Sequence, residues 1–233
     1  MSAVPNLFSP AAIAALDAAG LDLRAPVAFE GRPACLVGNS RAVWAPFVSW
    51  LRAEPRRAEL ADPFDTFAST ALARACTLLG GDFPPPDRIV FPYERGAPDF
   101  VGLAVRAGLL WKGAGGLGVH PVFGPWVSLR ALFVFPAMTA SFAPGEPTAN
   151  ACAPCEHCET GCGPAYRALS VPGSEAEFRH GDIWRGWARA RAACPTGAEH
   201  RYDADQLEYH YTHDRQILRR LARTPAAAPP EMP

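Results

Sequence analysis

Lysine is almost missing from this 233-residue sequence: Lys112 stands alone, and the remaining 21 of the 22 basic residues are arginine. An excess of charge is missing too, because 23 acidic residues leave a formal net charge of -1. A chain without positive excess has no long-range attraction for a phosphate backbone or an anionic lipid surface. Nucleic acid is therefore disfavoured as a partner. Long apolar runs are also lacking, since the tracts at 101–119 and 126–140 are interrupted by Arg106, Lys112 and Arg130 before they reach bilayer length. No membrane span is expected. The N-terminus has no basic stretch, and its apolar segment at 11–19 contains Asp17, so it reads as a helix and not as a secretory signal. The expected location is the cytoplasm, where thiols stay reduced, so the seven cysteines are not expected to form a disulfide framework.

What is present is a folding composition: 49% hydrophobic and 19% charged residues, with 20 glycines and 25 prolines marking many turns. A chain of this length buries about 70% of its unfolded surface. Ser9-Pro10 supplies a cap and first-turn proline for a helix stopped by Gly20. Cys35, Leu36 and Val37 read as a short strand ending at Gly38-Asn39-Ser40. Val43, Trp44, Phe47, Val48 and Leu51 follow at helical spacing. Another helix follows Asp62-Pro63 and runs to Gly80-Gly81; a strand is expected at 89–91 and a helix from Pro98 to Gly113. Strands are expected at 119–123 and 126–135, the second apolar on both faces at 132–135. Residues 136–150 read as a proline-rich linker, and the region around Trp184 and Trp187 as helix-prone.

Four of the seven cysteines fall within eleven residues, as Cys152-x2-Cys155-x2-Cys158-x3-Cys162. Spacings of two set successive thiolates on one side of a tight loop, the ligand run of a four-iron four-sulfur (4Fe-4S) cluster. A structural zinc site ordinarily uses two CxxC pairs about 15–20 residues apart, and three consecutive spacings crowd a single tetrahedral ion. The fourth ligand has two candidates. Cys162 closes the run but is followed by glycine, whereas Cys194-Pro195 carries the ferredoxin-like ending after an inserted helical segment. His157 reads as an exposed loop residue, and Cys35 and Cys76 as buried small hydrophobes.

Gly113-x-Gly115-x-x-Gly118 matches the dinucleotide fingerprint in letters only, because it follows a helix and precedes a strand, the reverse of the order that motif requires. A glycine loop still lets a flat ligand lie against the backbone. The stretch at 102–135, GLAVRAGLLWKGAGGLGVHPVFGPWVSLRALFVF, resembles the corrinoid-binding core of the epoxyqueuosine reductases, in which ferredoxin-type cysteines follow. Four segments resemble the cobalamin-processing family deficient in combined methylmalonic aciduria and homocystinuria (type C): DPFDTF at 62–67, HPVFGPWVSLR at 120–130, WRGW at 184–187 and RYDADQLEYHYTHDR at 201–215. Together the likenesses span about residues 30–222.

These resemblances imply an α+β fold, a nitroreductase-like antiparallel sheet flanked by helices, with a small ferredoxin-like cysteine segment. They also imply cobalamin bound with its lower base off the metal. Residues 112–118 (Lys112, Gly113, Gly115, Gly116 and Gly118), His120 and Trp126 are the implied corrin-side residues. His120 reads as a structural hydrogen-bonding residue and not as a cobalt ligand. The catalytic aspartate of the reductases falls nearest to Glu94 here. Leu207 stands where those enzymes carry a cysteine for a second cluster. The cobalamin-processing family binds glutathione through arginines, which by match are Arg130, Arg215 and one within 189–191. Arg130 is also unusual in itself, as a charge in an apolar strand, where an unpaired cation is costly. It points to an anionic ligand, such as a corrin phosphate or a carboxylate, or else to a salt bridge with Asp203, Asp205 or Asp214. Tyr202, Tyr209, His210, Tyr211 and His213 spread round a short helix, some of them towards the pocket.

The expected organisation is a corrinoid-binding core at 1–140, an iron-sulfur segment with an inserted helical region at 141–200, a C-terminal helix packed on the core at 201–223, and a disordered tail at 224–233. The expected function is an iron-sulfur oxidoreductase that reduces base-off cobalamin and removes its upper ligand, drawing on a low-potential donor such as a ferredoxin or flavodoxin. The alternatives are a cobalamin-trafficking chaperone with a structural cluster, a tRNA-modifying enzyme of the epoxyqueuosine type, and a zinc-stabilised protein with no corrinoid.

Overall fold

The computed structural model describes residues 7–80, 83–113, 117–137, 152 and 183–224. Its strands are β1 (Leu23–Phe29), β2 (Arg32–Asn39), β3 (Arg88–Val90), β4 (Trp111–Lys112), β5 (Gly118–Val119) and β6 (Ser128–Val134). Its helices are α1 (Pro10–Ala18), α2 (Trp44–Ala53), α3 (Pro63–Thr77), α4 (Phe100–Arg106), α5 (Ile183–Ala192), α6 (Ala204–Thr212) and α7 (Arg215–Arg223). Four strands form an antiparallel sheet in the order β1-β2-β6-β3, and β4 pairs with β5 separately. The α+β class expected from the sequence is the class observed.

The sheet is covered on both faces. Cys35, Val37, Ala131, Phe133 and Phe135 pack on one side against α1, α2, α3 and α7, with Phe8 edge-on to Phe133 at 5.2 Å and to Phe135 at 5.9 Å. Ala34, Leu36, Leu132 and Val134 pack on the other side against Phe100, Leu103 and Ala104 of α4. Alternate residues of β6 therefore enter two different cores, which is why 132–135 is apolar without a break.

Several boundaries differ from the sequence expectation, each for a local reason. β1 is an addition to the strands expected, and it contains Pro26, which an edge strand tolerates. It joins β2 through Glu30 and Gly31, both left-handed at φ 51° and 71°, the pair that a two-residue hairpin turn needs. α4 starts where Asp99 accepts the Gly102 amide at 2.9 Å, and it stops before left-handed Gly108 instead of reaching Gly113. Of the strand expected at 119–123 only Val119 is in a strand, as the end of β5. His120 and Gly124 bridge across a turn beyond it. Residues 201–223 make two helices and not one, because His213 turns left-handed at φ 54°, and Asp203 and Asp214 cap α6 and α7 by accepting the Gln206 and Gln216 amides.

No helix among the described residues is long and apolar enough to cross a membrane. The linker from 138, the cysteine run beyond Cys152 and the tail from 225 lie outside the described residues.

Candidate functional site

A cavity of about 340 Å³ opens where β6 meets the start of α3 and helices α5 and α6. Its floor carries Arg130. The bulge in β2 between Val37 and Gly38 puts Asn39 opposite Ser128, and the fully buried Asn39 Oδ1 accepts from Arg130 Nε at 2.6 Å. That fixes the guanidinium plane at the cavity wall. The plane lies 4.4 Å over the Phe64 ring, and the nearest acid, Asp65, is 3.9 Å from one NH nitrogen. Arg130's side chain is only 15% exposed, against 41% for Asp65, so a shielded cation has a distant and partly solvated counter-ion. Burial lowers the Arg130 guanidinium pKa, opposed by Tyr202, Asp65 and Tyr209. None of Asp203, Asp205 or Asp214 supplies the expected salt bridge: Asp203 and Asp214 cap helices, and Asp205 pairs with Arg220 at 2.7 Å.

Arg191 of α5 is the second cation on the cavity wall. Its Nε donates to the Pro125 carbonyl at 2.9 Å, and its guanidinium rests 4.8 Å from both the Trp126 and Tyr202 rings. It thus fastens α5 to the turn that precedes β6. His210 of α6 closes the site, with its ring 5.1 Å from Phe64 and 5.2 Å from Tyr202. Its Nε2 is shut off from water and has no hydrogen-bond partner. Burial, then Arg130, Arg191 and His213, hold its pKa well below the usual imidazole value, so the ring is neutral at pH 7. Burial, followed by the charge of Asp65, pushes the Tyr209 phenol up to about 12.

The structure brings together some of the expected residues and not others. Arg130 lines the cavity, Trp126 lies buried under Arg191, and the glycine loop reaches the cavity through Leu117. Gly113 and Gly118 belong to the β4–β5 hairpin, where a Cβ on Gly118 would stand 2.4 Å from the Leu110 side chain. Lys112 is exposed, and Gly115 and Gly116 lie outside the described residues. His120 Nδ1 accepts the amides of Val122 and Phe123 at 3.1 and 3.2 Å, so it braces its own turn, and burial lowers its pKa. Arg215 donates to the Ala61 carbonyl at 3.1 Å and is not part of the cavity wall. Glu94 is exposed on the turn that follows β3, beside Tyr93, and is not among the residues that line the cavity.

Asn39 and Asp65 were not assigned to the site from sequence; Arg191 was named only as one of the residues 189–191, and His210 only as one of five rings round a short helix. The one local signal for Asn39 was a polar residue closing an apolar strand.

Of the expected metal ligands, Cys152 is half-buried, with Sγ 4.0 Å from where a Cβ on Gly113 would stand. Cys194 is buried just beyond α5. Cys155, Cys158 and Cys162 lie outside the described residues. Among the described residues no three of His, Cys, Asp and Glu converge as a metal site.

The fold class is thus an antiparallel sheet between helix layers, with an arginine-lined cavity at one end of its central strands. No family model matches the sequence, and no curated protein matches it. Among solved structures the fold is similar to that of a B12-trafficking protein CblC from C. elegans, a homologue of human MMACHC, at a TM-score of 0.62. The match covers 91% of this chain and 88% of that one at 15% sequence identity, so it is a likeness of fold.

Proposed function

We propose that this chain binds cobalamin base-off and reduces it with loss of the upper axial ligand. The observation that carries this reading is the fold shared with a B12-trafficking protein over nine-tenths of the chain, together with an anion-seeking cavity on the strand that the sequence likeness singled out. At about 340 Å³ the cavity is at the lower end of the range for drug-sized ligands, so it takes the phosphate of the cobalamin nucleotide tail and not the ring. The ring then lies across the mouth, towards the hairpin that carries Lys112, Gly113 and Gly118.

A one-electron reduction of Co(III) to Co(II), with the electron from a donor of the ferredoxin or flavodoxin class, lets cyanide leave as the anion. The chain's part is to hold the acidic group with Arg130 and Arg191, to orient it through Asn39 and Phe64, and to keep water from the buried side of the site.

The donor set for a 4Fe-4S cluster is Cys152, Cys155 and Cys158 with Cys194, or with Cys162 in its place. In support, Cys152 packs against the glycine hairpin, and Cys194 is buried in a loop whose path is sterically fixed. Such a cluster, when bound, supplies single electrons at potentials as low as about -700 mV.

The test is anaerobic purification with assays for iron, sulfide and zinc, followed by cobalamin titration read by absorbance. A base-off shift and then cob(II)alamin with release of cyanide under a low-potential donor supports the reductase. A shift with no reduction supports a trafficking chaperone, like the C. elegans B12-trafficking protein. Zinc in place of iron and no shift reject both.

A further inference from the structure

We propose that the proline-rich segment after α7, residues 225–233, docks in extended polyproline form in the apolar groove between α1, α2 and α3 of its own chain.

The groove measures about 590 Å³ and shares no residue with the arginine-lined cavity. Ala15, Ala18 and Ala19 of α1 and Ala45 of α2 give it low walls, and Trp50 and Phe67 supply its aromatic surface. The Trp50 ring is fixed before anything docks: it stacks on Phe47 at 6.1 Å, lies 5.7 Å from Phe67, and has the Arg57 guanidinium 4.5 Å over it. Arg74 of α3 also lines the groove. It is exposed and forms no ion pair among the described residues. A fixed indole, small apolar walls and one uncommitted cation fit a proline-rich strand that carries one acid.

Place and chemistry assign the occupant. Arg52 Nε donates to the Leu221 carbonyl at 3.2 Å, which holds the last turn of α7 against α2. Arg52 and Leu221 line a trough that shares Ala45 and Ser49 with the groove, so the chain leaves Thr224 beside a path over α2. At about 3.1 Å per residue, the stretch from Pro225 to Glu231 spans about 22 Å. That is enough to cross one helix, about 10 Å wide, and to follow two turns of the next, about 11 Å.

The segment PAAAPPEMP holds only small or apolar residues and a single charged side chain, Glu231. With three residues per turn, Ala226, Pro229 and Met232 share one edge, and Ala227, Pro230 and Pro233 the next. These two apolar edges face the groove. The third edge, Pro225, Ala228 and Glu231, brings the carboxylate to Arg74. The prolines set φ in advance, which lowers the ordering cost of docking. A segment too poor in large apolar residues to fold by itself can still bury its small ones on a surface that other helices have built.

NMR on the full chain tests this. The expected result is nuclear Overhauser contact between Pro229 and the Trp50 indole, with backbone order parameters above about 0.6 for the amides of Ala226, Ala227 and Ala228. Ala18→Arg sets a long side chain in the groove from an exposed position. It should abolish the contact and drop those order parameters below about 0.6. Glu231→Arg should loosen the segment in the same way, and Arg74→Glu added to it should restore the order. Should Ala18→Arg disturb the fold, that charge swap carries the test.

Order parameters below about 0.6 in the unmodified chain, or order that survives both Ala18→Arg and Glu231→Arg, overturns the inference. So does order that vanishes on dilution, because the groove then holds the segment of a second copy. The groove lies apart from the cavity assigned to cobalamin, so the two readings fail separately.

Discussion

Gly124 and Gly197 cross each other with no room for a Cβ on either. A Cβ on Gly124 would stand 1.8 Å from the Thr196 carbonyl oxygen, and one on Gly197 would stand 2.3 Å from the Phe123 carbonyl carbon. Both are left-handed, at φ 58° and 68°. The turn before Trp126 and the loop after Cys194 therefore meet backbone to backbone, with Phe123 also edge-on to His200 at 4.9 Å, which restricts where Cys194 can stand. Gly197→Ala combines a strained dihedral with a backbone clash and should cost more than about 2 kcal/mol. Gly96→Ala is the control. It has the same sign of φ, 81°, but open space around it, so it should cost only about 1 kcal/mol. Denaturant unfolding of the two variants checks the order.

Arg130 and Arg191 line one cavity but hold the fold to different degrees. Arg130→Met leaves Asn39 Oδ1 without its donor, at a cost of about 1–3 kcal/mol, but it also removes a shielded cation with a distant counter-ion. The two effects oppose each other, and its stability should change by less than about 2 kcal/mol. Arg191→Met cuts the hydrogen bonds that tie α5 to the Pro125 and Val127 carbonyls, and it leaves both acceptors short of a donor. It should be the more destabilising of the pair in thermal melts. Both should weaken cobalamin binding in an absorbance titration, in keeping with removal of a charge-assisted contact in a shielded site.

Much of this was legible locally, and the rest was not. The Ser9 cap, with its Oγ 3.1 Å from the Ala12 amide, and the Asp62-Pro63 start of α3 are dictated by neighbours in sequence, and both formed as expected. Arg130 stood out because a charge in an apolar strand demands an explanation. Its orienting partner Asn39 is 91 residues away across a strand pair, and no local pattern encodes that pairing. His210 was seen only as one of five rings around a short helix. Which ring turns inward is decided by the break at His213 and by the packing of α6 against Phe64 and Trp44, both tertiary facts.

His210 also makes stability depend on pH. Its folded-state pKa is lowered, so between that value and the unfolded imidazole value of about 6.5 the unfolded chain holds the extra proton. Stability therefore falls as pH drops through about 6.5, by up to about 1.4 kcal/mol per pH unit for this one group. His120, also lowered by burial, adds a slope of the same sign. Tm measured from pH 8 to pH 5 should fall more steeply for the unmodified chain than for His210→Gln. Parallel curves would show that the buried ring is not neutral in the folded state.

The thiols divide by environment, and that division gives the last prediction. Cys35 sits at the centre of the sheet, where burial pushes its pKa up to about 12, and Cys76 is half-buried on α3 with its pKa also raised by burial. A thiol held protonated is a poor nucleophile and a poor metal ligand. Cys35 should therefore resist alkylation at pH 8 until the chain unfolds, and Cys35→Ala should leave iron content unchanged. Cys194 is buried as well, but in a loop pinned by the Gly124–Gly197 crossing and followed by proline, outside both apolar cores. Such a position suits a ligand whose place must not drift. Cys194→Ala should lose most of the iron of anaerobically purified protein, and Cys162→Ala should keep it. The reverse outcome would move the fourth ligand into the compact run and leave Cys194 with a packing role.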